Sequence, residues 1–120
     1  MELDIFFTPI PEISTDEEAI GENVSSYFDG APFPSWEDAD IVVFGVQEAR
    51  NSYNNKGCAA GQNKIRASFY GLNSSQNYAI ADLGNIAQGM EVEDTYSAVS
   101  EVVKDLVSKG KFVIILGGSQ

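Results

Sequence analysis

The sequence predicts a three-layer α/β fold, with helices on both faces of a parallel sheet. Three observations carry this. The stretches Asp40-Ile41-Val42-Val43-Phe44-Gly45-Val46 and Phe112-Val113-Ile114-Ile115-Leu116 are β-branched-rich apolar runs, too short for buried helices. Neither run alternates with polar residues, so both read as strands buried on two faces, the habit of parallel sheets. Helical and strand patterns alternate along the chain, and right-handed crossovers turn that order into a parallel sheet covered on both sides.

Taken in order, Met1 to Ile13 hold Phe6, Phe7, Pro9 and Pro11. The prolines break regular structure, so an extended arm docked by its aromatics is expected. Ser14-Thr15-Asp16-Glu17-Glu18 has capping-box spacing (Ser14 with Glu17, or Thr15 with Glu18) and acids at the positive end of the helix dipole. Ile20, Val24 and Phe28 (or Tyr27) continue at helical spacing until Asp29-Gly30 ends the helix. Ala31 to Trp36 is a proline-broken connector, and Trp36 is read as a packing residue rather than a stacking platform.

The first core strand spans 40–46. Gln47 to Gly57 follows as a polar loop at its carboxyl end, long enough to suggest function. Cys58 to Tyr70 reads as a helix with Ile65 and Phe69 inward and Gly71 as its stop. Cys58 near a helix start invites a reactive-thiol reading. No histidine is available to pair with it, so it is taken as a small packing residue. Asn73 to Asn77 is a turn. The next strand, Tyr78 to Ile86 with its core at 79–84, is weaker and reads as nearer the sheet edge. Asp82 lies late in it and is taken as a hydrogen-bond acceptor that fixes a loop. Glu91 to Lys109 is the clearest helix, with Val92, Tyr96, Val99, Val102, Val103, Leu106 and Val107 in one stripe and Gly110 as its C′ glycine. The terminal strand, 112–117, runs into Gly117-Gly118-Ser119-Gln120.

Composition excludes several functions. The chain has 120 residues, one domain's worth, with 43% apolar residues. Seven basic and eighteen acidic residues give a net charge of −11, which argues against nucleic-acid binding. One cysteine permits no internal disulfide and fits a reducing, cytoplasmic setting. Met1 to Ile10 carry Glu2 and Asp4 and no basic n-region, so no secretory signal is expected. No apolar run approaches the roughly 20 residues of a membrane helix. There is no histidine, which removes the commonest general base and metal ligand. Gly-x-Gly-x-x-Gly is absent after Val46, as is the Walker signature. Gly117-Gly118-Ser119 lacks the following helix that a phosphate loop uses.

Three stretches resemble the ureohydrolases: arginase, agmatinase and formimidoylglutamase. They are Phe44-Gly45-Val46 with Asn55-Lys56-Gly57-Cys58-Ala59-Ala60-Gly61-Gln62-Asn63-Lys64-Ile65-Arg66; Ile80-Ala81-Asp82-Leu83-Gly84-Asn85; and Ile114-Ile115-Leu116-Gly117-Gly118-Ser119-Gln120. The first is similar to the family's strand end followed by Gly-Pro-x-x-Ile/Leu-Arg, with Asn-Lys-Gly as in the formimidoylglutamase branch. The second is similar to its Asp-x-Gly-Asp/Asn strand. The third is similar to its Gly-Gly-Asp/Asn/Ser-His. Two positions depart from the pattern. Gln62 stands where the family has proline, and Gln120 stands where it has a histidine that binds one of two manganese ions.

The resemblance covers about 38–120 and implies a partial arginase-like fold with strand order 2-1-3. It divides the chain into an arm and helix at 1–37 and the N-terminal part of an arginase-like domain at 38–120. It implies hydrolysis of a guanidino or formimino carbon–nitrogen bond by metal-bound hydroxide in a full-length enzyme, with Arg50, Asn55, Lys56 and Gly57 on the active-site rim. By the resemblance, the family's remaining ligands, in Asp-x-His-x-Asp and Asp-x-Asp motifs, would lie after residue 120. The expectation is therefore an N-terminal fragment, inactive alone, with no metal ligand of its own. The alternative is a non-catalytic arginase-fold protein that serves binding or assembly. Without further strands beyond it, the terminal strand is expected to be an edge that drives self-association.

Overall fold

The computed structural model describes residues 3–10, 24–28, 30–46, 62–70, 79–87 and 91–117. Its strands are β1 (Phe7–Thr8), β2 (Val24–Ser26), β3 (Ile41–Val46), β4 (Ile80–Ile86) and β5 (Phe112–Leu116). Its helices are α1 (Gln62–Tyr70) and α2 (Val92–Ser108), with short 3₁₀ turns at Leu3–Phe6 and Trp36–Asp38.

β3 lies in the middle of the sheet, with β4 and β5 hydrogen-bonded to it in parallel on either side. That is the expected order of the three core strands. The sheet is larger than expected, because two short strands of the N-terminal arm line the outer side of β4. β2 runs parallel to Ile80–Asp82, and β1 runs antiparallel to Asn85–Ile86. β4 is therefore an interior strand, buried from Ala81 to Ile86, and not near the edge as its composition suggested.

The helix expected up to Phe28 is also corrected. Val24–Ser26 is strand, and Phe28 forms a parallel bridge with Ile10. Val24 and Phe28 match a helical period, but Val24 is β-branched and the serines are weak helix formers. The open outer side of β4 offers this segment a ladder instead. Residues 11–23, where that helix would start, lie outside the described residues, as does the turn at 73–77.

One face of the sheet carries the main core. Val42, Phe44 and Val46 of β3 alternate into it beside Ala81, Leu83 and Ile86 of β4. Val102 and Leu106 of α2 cover them, with Leu3, Phe7 and Trp36 from the first part of the chain. Phe7 packs against Phe33 and Phe44, both at 5.7 Å between ring centroids, so the arm does dock by an aromatic. Trp36 is a core residue, as expected.

The α2 stripe holds at Val92, Val102 and Leu106, but Thr95 is buried while Tyr96 and Val107 are exposed. Asp94 accepts the Glu91 N–H at 3.0 Å at the start of the helix. At its end Gly110 has φ 75, and the N–H groups of Gly110 and Lys111 donate to Val107 and Leu106. That pairing is the Schellman motif, and it needs the left-handed glycine. Lys111 Nζ then donates to the carbonyls of Glu37 and Ala39 at 2.6 and 2.7 Å, pinning the start of β5.

Candidate functional site

In open α/β sheets a ligand site forms beyond the carboxyl ends of the strands, here Val46, Ile86 and Leu116. The rim residues expected from sequence, Arg50, Asn55, Lys56 and Gly57, follow Val46 but lie outside the described residues. The same holds for Cys58 and Gln120. What the structure does describe is the buried support behind this region, where α1 meets β4.

The register between β3 and β4 contains an irregularity. Val43 faces Asp82 and Gly45 faces Asn85, so two steps along β3 match three along β4. The extra residue is a β-bulge at Leu83-Gly84. Gly84 has φ 86, a left-handed value that suits glycine. A Cβ there would collide with the Thr8 carbonyl oxygen of β1.

The bulge has a chemical consequence. In a regular strand, residues three apart point to opposite faces. The inserted residue resets the phase, so Asp82 and Asn85 turn to the same face. Ala81, Leu83 and Ile86 correspondingly share the core on the other face.

Arg66 fills the position opposite those two acceptors. Its Nε donates to Asp82 Oδ2 at 2.7 Å and its Nη2 to Asp82 Oδ1 at 3.0 Å, a bidentate ion pair. Nη1 donates to Asn85 Oδ1 at 2.6 Å, and Nη2 also donates to the Gly84 carbonyl at 2.8 Å. Both Arg66 and Asp82 are 0% exposed.

Each remaining acceptor position of Asp82 is used. The Gly84 N–H donates to Oδ1 at 3.0 Å, and the Tyr70 hydroxyl donates to Oδ2 at 2.6 Å. A carboxylate only accepts, so the single tyrosine proton goes to Asp82. Ser26 Oγ, 2.9 Å away, must then donate to the Tyr70 oxygen. Burial first, and then the charge and hydrogen bond of Asp82, push the Tyr70 hydroxyl well above the ordinary tyrosine range.

This arrangement corrects the reading of α1. Ile65 was expected inward, yet it is 47% exposed, and Phe69 is half-buried. Arg66 and Tyr70, four apart, face the sheet instead. The surface they meet on β4 is polar, so the inward side of the helix is polar too, and apolar periodicity selects the wrong face. Asp82 is the hydrogen-bond acceptor that the sequence indicated. Its partners Arg66, Tyr70, Asn85 and Ser26 were missed. A glycine inside a strand, flanked by Asp and Asn three apart, is the signal that points to a bulge.

Chemically this is a closed clamp. Its charged groups are shut off from solvent and mutually satisfied, so it holds α1 on β4 and offers nothing to a substrate.

The arginase family model matches residues 39–120. The chain belongs to the arginase family. No curated protein and no solved structure matches it. The match includes both halves of the clamp, the Ile65-Arg66 end of one motif and the Asp82-Leu83-Gly84-Asn85 motif.

Arginase-family hydrolases generally depend on manganese. The residues described here do not fit such a centre. No three His, Cys, Asp or Glu side chains come together among them, and both Asp82 oxygens are engaged by Arg66, Tyr70 and Gly84. The chain also contains no histidine to serve as a ligand.

Proposed function

We propose that residues 38–120 form the N-terminal part of an arginase-like domain in a hydrolase of linear amidine carbon–nitrogen bonds, with formimidoylglutamase-like specificity. Residues 1–37 are the arm that precedes it, docked on that domain through β1, β2 and Phe7. The family match over 39–120 carries the reading. It is supported by the parallel order of β4, β3 and β5 and by Asn55-Lys56-Gly57, which resembles the formimidoylglutamase branch.

In this reading the substrate is a small guanidino or formimino compound, and Arg50, Asn55, Lys56 and Gly57 belong to the rim of its site. Arg50 and Lys56 supply cations suited to a substrate carboxylate. The two manganese ions are held by ligands that these 120 residues do not contain, so this chain alone does not hydrolyse the bond. The test is an assay on arginine, agmatine and formiminoglutamate with and without added manganese. No turnover above a protein-free blank is expected, and metal-dependent turnover would contradict it.

A second reading, a non-catalytic arginase-fold protein used for binding or assembly, is favoured by Gln120 at the position of a metal-binding histidine. Formiminoglutamate binding that Lys56→Ala weakens supports the enzyme reading. Failure of all three compounds to bind supports the assembly reading.

Self-association through β5 belongs to the same proposal. Among the described residues β5 pairs only with β3, and Phe112 and Ile115 are 67% and 43% exposed. An uncharged apolar edge is a template for another strand, and a second copy is the occupant proposed. The net charge of −11 argues against nucleic-acid partners. Among the described residues no helix is long and apolar enough to cross a membrane. A reducing, cytoplasmic setting is proposed from the single cysteine.

A further inference from the structure

We draw no further inference here: the strongest candidate, a groove on α2 where the buried Oδ2 of Asp105 has no hydrogen-bond partner beside Glu101, Lys104 and Ser108, is an acidic cluster on a side chain still 16% exposed, and no second observation points to a ligand there.

Discussion

Arg66 illustrates how costly half of a buried pair becomes. Paired with Asp82 it is satisfied, but Arg66→Ala leaves a carboxylate in the interior. Removing one partner of a buried ion pair costs about 3–5 kcal/mol. Urea denaturation should show a loss of that order, with Arg66→Lys recovering little because an ammonium cannot make the two-pronged contact. Gly84→Ala should also destabilise, by about 1–2 kcal/mol from the left-handed backbone alone, with the collision against Thr8 adding to it. The same measurement checks it, and a neutral substitution would mean that the bulge is not needed. Tyr70 gives a pH signature. Its hydroxyl titrates higher in the folded chain than its ordinary 10.0. The unfolded chain therefore loses that proton first as pH rises. The stabilisation is complete below about pH 10 and falls away above it as pH climbs through the folded value. Wild type should lose stability above pH 10 more steeply than Tyr70→Phe. Equal slopes in paired denaturation curves would contradict the assignment.

At the level of elements, the strands with continuous apolar runs were the most legible. β3 and β5 were plain because both faces are buried or apolar, and α2 was plain because its stripe, acidic start and Gly110 agree with one another. The N-terminal strands were not legible. β2 is three residues long and exists through its ladder to β4, a partner more than fifty residues away that no local pattern reveals. The face of α1 was misread because the helix packs on hydrogen-bond acceptors, to which hydrophobic periodicity is blind. β5 carries a prediction of its own. The Phe112 N–H donates to the Asp40 carbonyl on the β3 side, so by strand alternation the backbone groups of Val113 and Ile115 point away from β3. If a second copy pairs there, Val113→Lys or Ile115→Lys should shift light scattering at high micromolar concentration towards monomer. A monomeric parent, unchanged by either lysine, would contradict the pairing.

For the whole molecule, family membership was legible because three short motifs occur in order, and their roles were less so. In sequence, Asp82-Leu83-Gly84-Asn85 reads as the end of a strand whose Asp82 accepts a hydrogen bond that fixes a loop. Folded, it is a bulge that turns two acceptors onto one arginine, and only the pairing with β3 shows this. The rim residues expected by resemblance, Arg50, Asn55, Lys56 and Gly57, lie outside the described residues. The family signature within these residues is an internal clamp, with Asp82 spent on Arg66 and Tyr70 and unavailable to a metal. Titrating the purified chain into manganese and following the electron paramagnetic resonance of the free hydrated ion tests it most directly. The free-ion signal should be undiminished at equimolar chain, and Asp82→Asn should change stability without changing that signal. Stoichiometric loss of the signal on adding wild type, abolished by Asp82→Asn, would contradict it.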